Sequence, residues 1–156
     1  MRFLWFGKKK KASEIIDDVP ELQEVFSVED YVCITDPLSS RSTALASSTI
    51  SSCIFAVLGN QETKANQAAQ EFFQEHGANQ LNTTEFNVTD AQGFSARVHD
   101  GSQNRTVLIG VPSVISRATT PFHSEIAAMV KASPEIYVVA IDGIAYATFR
   151  IARNFL

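Results

Sequence analysis

Two Asp-Gly dipeptides, Asp100-Gly101 and Asp142-Gly143, restrict what this chain can fold into more than any other feature. Each stands between stretches of strand length: FSARVH and RTVLIGV around the first, IYVVAI and IAYATFRI around the second. Asp and Gly tolerate the positive φ angles of tight turns whose twist matches a β-hairpin. Strands joined so closely must run antiparallel. The reading predicts strands at Phe94–Val98, Thr106–Ile109, Tyr137–Ile141 and Ala145–Phe149, with TTEFNVTD ahead of them as a further strand.

Upstream the hydrophobic period changes to that of helices. From Ser13 to Phe26 the chain reads as a short helix broken at Pro20, with Ser13 as N-cap. Asp30–Thr35 is β-branched and aromatic, either a strand or a helix end. After the Asp36-Pro37 turn a helix is expected from near Ser42, with Leu45, Thr49, Cys53 or Ser52, and Ala56 on one face and Gly59 as its stop. A second helix covers Gln61–His76, its apolar stripe made of Ala65, Ala68, Ala69, Phe72 and Phe73, and Gly77 ends it. Pro112 opens a short helical turn, and a third helix runs from about Pro121 to Ala132, stopped by Ser133-Pro134. Together these predict an α+β fold, a mainly antiparallel sheet with helices packed on it. Residues 13–156 are expected to form one domain, preceded by a distinct segment of residues 1–12.

That segment sets Phe3, Leu4, Trp5 and Phe6 beside Lys8, Lys9, Lys10 and Lys11. Its charges follow the apolar stretch, the reverse of a signal peptide. It reads as a frayed terminus or first strand with a solvated charge run. The alternative is peripheral membrane contact at the inner face, with lysines on anionic lipid and aromatics in the headgroups. The longest nearly apolar run, Ile136–Ile141, is far short of the ~20 residues of a membrane helix.

Composition narrows the function. A net charge of −4 and a pI near 5.3 argue against nucleic acid as a partner, since phosphate binding needs a basic face. Cys33 and Cys53 stand far apart without a second pair, as buried thiols of a reducing, cytoplasmic compartment do. No phosphate-binding loop, nucleophile elbow or metal-ligand spacing is present, and neither a catalytic residue nor a metal site is expected. His76, His99 and His123 are scattered, and Asp90, Asp100 and Asp142 sit where turns need Asp.

The string from Phe86 to Ile151 resembles the nucleotide-binding domain of P-type cation-transporting ATPases, in their heavy-metal and Kdp-type potassium branches. Gly93 followed by FSARVHDG, Gly110 after VLI, and VVAIDGIAYATFRI follow that domain's order and spacing. The resemblance extends more faintly back to Asp36. It implies ATP as ligand, with Gly93 and Gly110 admitting the nucleotide close to the backbone and Phe86 near the place of a base-stacking ring. It also exposes departures. Ser42, Thr43, Ala44 and Leu45 stand where the heavy-metal branch has its Glu-x-His-Pro loop. Ala91 replaces the first glycine of the G-x-G pair, Val111 the Asn after the last glycine, and Ile109 the Kdp-type lysine. The aspartyl-phosphate motif is missing from this string, so ATP binding is expected to be weak or lost and no catalysis is expected from the chain alone. The resemblance leaves two readings, a piece of an ion pump or a free-standing interaction or regulatory protein with a protein partner. An unrelated ligand-binding α+β domain is a third.

Overall fold

The computed structural model describes residues 23–89, 93–116 and 120–156. The aromatic and lysine segment, most of the expected helix over Ser13–Phe26, and Asp90 and Ala91 lie outside the described residues. In chain order the elements are β1 (Glu24–Cys33), α1 (Ser47–Leu58), α2 (Lys64–Glu75), β2 (Asn82–Thr89), β3 (Gly93–His99), β4 (Asn104–Gly110), α3 (Pro112–Ile115), α4 (Ser124–Ala132), β5 (Tyr137–Ile141) and β6 (Ile144–Phe155). The six strands form one sheet in the order β1-β6-β5-β4-β3-β2, every neighbouring pair antiparallel.

The two Asp-Gly turns both close hairpins, by different means. Asp142 and Gly143 have φ of 53° and 82°, the two positive values that a two-residue type I′ turn requires. The first hairpin pairs His99 with Asn104, leaving a four-residue loop. There the Asp100 carboxylate shapes the chain: its Oδ1 accepts from Ser102 N–H at 2.8 Å and Gln103 N–H at 2.9 Å. Gly101 takes the positive φ, 100°.

One expectation is corrected. Glu24, Val25 and Phe26 begin a strand rather than end a helix, pairing with Phe155, Asn154 and Arg153 of β6. The overhanging end of β6 supplies a ladder of backbone partners that a helix would leave empty. Asp30–Cys33 is the second half of the same strand, beyond a bulge at Asp30 (φ 57°), where Arg150 bonds both Asp30 (3.0 Å) and Glu29 (2.5 Å). At the opposite border β2 carries a second bulge between Thr84 and Asn87, with Glu85 at φ 54° and 3.7 Å from Arg97.

Strand alternation gives the sheet two apolar faces. Val107, Ile109, Ala96, Val98 and Phe149 meet Ile50, Ile54, Val57, Ala69 and Phe73 of α1 and α2 in the main core. Val138, Ala140 and Ala145 meet Ile115 of α3 and Ile126 of α4 in a smaller one. Phe73 is fully buried, edge-on to Tyr31 at 5.1 Å and to Phe149 at 5.3 Å. It joins α2 to both β1 and β6.

The helix limits follow local chemistry. Thr63 caps α2, its Oγ1 accepting from Asn66 N–H, and Gly77 leaves that helix at φ 88°. α4 starts at Ser124, not Pro121, because His123 Nδ1 caps Glu125 N–H. α1 starts at Ser47, after a loop folded around Ser40. Gly59, at φ −69°, is not a left-handed cap. A Cβ there would lie 2.7 Å from Gln70 Nε2, so a larger residue would displace the Gln70 amide from the end of α1. α1 has no basic residue in its last turn, yet side chains satisfy its final carbonyls: Gln70 on Phe55 O, Asn60 and Thr83 on Ala56 O, and Asn66 on Leu58 O.

Candidate functional site

Gly93 opens β3 and Gly110 closes β4, and the two lie side by side at one end of the sheet. A Cβ on Gly93 would come within 2.8 Å of Thr89 Oγ1, 3.0 Å of the Ile109 carbonyl oxygen and 3.4 Å of Gly110 Cα. The two backbones are thus in contact where any side chain would separate them. Gly110 in turn faces Ile115 of α3, 3.5 Å from a Cβ built on it. Both glycines are buried. Thr89, the cross-strand partner of Gly93, has its hydroxyl oxygen buried without a hydrogen-bond partner among the described residues. An unpaired buried hydroxyl costs roughly 1–3 kcal/mol, so this polar atom beside the glycine pair is unusual. The Thr89–Gly93 pairing was open to sequence reasoning, since both residues flank the short link between two expected strands.

Phe86 is elsewhere. Its ring stacks on Phe94 at 6.0 Å, and both pack toward the α1–α2 core, whereas Ile115, the neighbour of Gly110, belongs to the α3–α4 core. Alternation explains this. From Thr89–Gly93 the register runs through Val88–Phe94 and Asn87–Ser95 to Phe86 opposite Ala96, so Phe86 shares the face of Phe94 and Ala96 and lies opposite that of Thr89, Ser95 and Gly93. The bulge at Glu85 shifts only Asn82–Thr84, on the far side of Phe86. The structure brings Gly93 and Gly110 together and leaves Phe86 apart from them.

The remaining positions of interest are engaged structurally. Ser42 to Leu45 belong to the loop before α1, where the Tyr146 hydroxyl donates to the Thr43 carbonyl and Ser42 Oγ meets Ser40 Oγ at 2.9 Å. Ile109 is buried in the main core, and Val111 stands half-buried ahead of α3. Cys53 lies on the buried face of α1, and burial pushes its thiol up to about 12 against the opposing pull of Arg105. Cys33 is partly buried and also raised by desolvation. His76 stacks on Phe72 at 4.1 Å, His99 accepts from Gly101 N–H, and His123 caps α4. Among the described residues no three His, Cys, Asp or Glu side chains cluster as metal ligands, and no helix is long and apolar enough to cross a membrane.

The strongest charge cluster ties the two hairpin turns together. Arg105 donates through Nε to Asp100 at 2.7 Å and through a terminal nitrogen to Asp142 at 3.0 Å. Desolvation raises the Asp100 carboxyl, but bonds from Gln103, Arg105 and Ser102 outweigh it and hold the group well below the usual carboxylate range. Every member of this cluster is engaged within the chain, and its place at the turns makes it a fastening of the fold.

No sequence-family profile matches the chain, and no curated protein sequence does. Solved structures do resemble it. The N-domain of HMA6, a copper-transporting P-type ATPase, superposes with a TM-score of 0.57 at 15% identity, over 81% of this chain and 98% of that domain. A zinc-transporting PIB-type ATPase matches with a TM-score of 0.60 at 12% identity, over 85% of this chain and 20% of that transporter. At such identities the likeness is one of fold: a six-stranded antiparallel sheet with helices on it, the fold of the N-domain of heavy-metal P-type ATPases.

Proposed function

We propose that this domain binds adenine nucleotide weakly where Gly93 and Gly110 meet, and that it presents ATP to a reactive group on another domain. The observation that carries the reading is the glycine pair, two buried strand positions in backbone contact where the N-domain pattern also has glycine. The polar side chains of that pattern are replaced by Ser42, Thr43 and Val111, so few contacts remain to hold the ligand. A dissociation constant in the millimolar range follows, about −4 kcal/mol. Binding is expected to be nearly independent of magnesium.

Backbone amide spectra recorded during ATP and AMP titrations test this. Shifts centred on Gly93 and Gly110 support contact at the paired backbones. Shifts centred on Phe86 instead place the base on the opposite face, stacked on the Phe86–Phe94 pair. Silence at several millimolar rejects nucleotide binding and leaves the second reading, an interaction or regulatory protein on the same fold. What favours that alternative is the stretch Ser42–Leu45, in which the Thr43 carbonyl is already engaged by Tyr146 and no side chain is a carboxylate or an imidazole.

A further inference from the structure

A cleft of about 330 Å³ lies beside the C-terminal end of α1, between that helix, α2 and the start of β2. The nucleotide reading does not use it. Its walls are chemically unusual: Asn60, Gln70, Gln80 and Asn82 contribute four carboxamides, Thr83 a hydroxyl and Phe55 a half-buried ring, and no lining residue is ionisable. Two of the amides are already oriented. Asn60 Nδ2 donates to Ala56 O at 2.8 Å and Gln70 Nε2 to Phe55 O at 3.3 Å, which leaves their amide oxygens as acceptors. The Gln80 and Asn82 side chains make no hydrogen bond among the described residues and keep both donor and acceptor capacity.

This lining selects by charge. An ion entering the cleft would lose hydration without meeting an opposite charge, which is unfavourable for either sign. A neutral ligand loses less: the Gln80 and Asn82 amides each offer a donor and an acceptor to neighbouring hydroxyl groups, and Asn60 and Gln70 offer further acceptors. The Phe55 ring supplies an apolar wall for the C–H face of a saturated ring. The volume is at the lower end of the roughly 300–1,000 Å³ of small-molecule sites. We infer that the cleft binds an uncharged polyhydroxylated ligand, a mono- or disaccharide, independently of nucleotide.

The test is a titration of the full chain with maltose and with methyl α-mannopyranoside, followed through backbone and side-chain amide resonances. Glucosamine and glucose 6-phosphate serve as cationic and anionic counterparts. At least one neutral sugar shifts Gly59, Asn60, Gln80 and Asn82 and the Gln70 side-chain amide, with millimolar affinity, and the charged analogues bind more weakly. Gln80 and Asn82 are exposed, so the Gln80→Ala, Asn82→Ala double variant keeps the dispersed spectrum of the fold. It weakens the sugar by at least about threefold, the loss of one or two neutral hydrogen bonds. No shift at the cleft with either sugar at about 50 mM overturns the inference. So does binding that survives the double substitution, or a charged analogue that binds as well as the neutral ones. ATP shifts at this cleft in place of the glycine pair would count against both this inference and the nucleotide reading.

Discussion

Replacing Arg105 by Met removes the charge that joins the two hairpin turns while keeping most of the side chain's apolar stem. The Arg105–Asp100 bond is short and well shielded, the side chains being 17% and 7% exposed, and a hydrogen bond to a charged group contributes about 1.5–3 kcal/mol. Asp142 is 40% exposed, so its bond is largely screened and adds only about 0–1 kcal/mol. Asp100 retains the Ser102 and Gln103 hydrogen bonds, so it is not left as a bare buried charge. The expected loss at neutral pH is therefore about 1.5–4 kcal/mol. Its pH dependence has a definite sign. The folded Asp100 carboxyl lies below its unfolded value, so its contribution is complete above about pH 4 and is lost as pH falls toward the folded value. Arg105→Met weakens the hold on that proton, so wild type and variant converge in acid. Urea unfolding followed by circular dichroism, at pH 7 and at about pH 3, measures both quantities. A difference below about 1 kcal/mol at neutral pH, or one that is unchanged in acid, refutes the account.

Gly93→Ala presses a methyl against Thr89 Oγ1 and the Ile109 carbonyl, so the domain loses about 1–3 kcal/mol in urea and nucleotide-induced shifts at Gly110 disappear. Phe73→Ala empties the junction of α2 with β1 and β6 and costs about 3–5 kcal/mol, read as a lower urea midpoint with unchanged slope. Cys53, buried with its thiol pushed up to about 12, stays unreactive toward a water-soluble disulfide reagent at pH 8 until the domain is unfolded, whereas the partly buried Cys33 reacts measurably sooner. Deleting residues 1–11 abolishes cosedimentation with anionic vesicles if Lys8 to Lys11 form a surface anchor, at about 1 kcal/mol per lysine in low salt. Full-length chain that ignores such vesicles rejects the anchor.

The central four strands were legible because each hairpin is a local object, in which a turn dipeptide and flanking alternation act within a few residues. The first half of β1 was not, and its second half reads as either strand or helix end, because its partner is β6: Glu24 pairs with Phe155, at the opposite end of the chain, and no short-range signal encodes that pairing. The bulge at Asp30 further breaks the alternation by which a strand is recognised. In β2 alternation in TTEFNVTD holds from Phe86 to Thr89 and sets Phe86 on the face opposite Thr89 and Gly93, whereas the bulge at Glu85 reverses the faces of Asn82–Thr84, which no local signal encodes. Gly93 and Gly110 could be singled out by resemblance, yet their contact depends on the register of β3 on β4, which pairs Phe94 with Ile109. The amide-lined cleft left no trace in any motif, since its residues come from α1, α2 and the approach to β2.

An open sheet ends in two outer strands, each with a row of peptide groups that another chain could join. Among the described residues those strands are β1 and β2, and both are interrupted near the middle by a bulge whose residue has a positive φ and an exposed acidic side chain, Asp30 in one and Glu85 in the other. A strand arriving along either border would stay in register only from Glu24 to Glu29 on one side, or from Asn82 to Thr84 on the other, before the spacing slips. It would also meet a carboxylate held in place by an arginine of the neighbouring strand, Arg150 or Arg97. Each bulge thus disfavours edge-to-edge addition along its border, so that the sheet is less readily extended into that of a neighbouring folded unit.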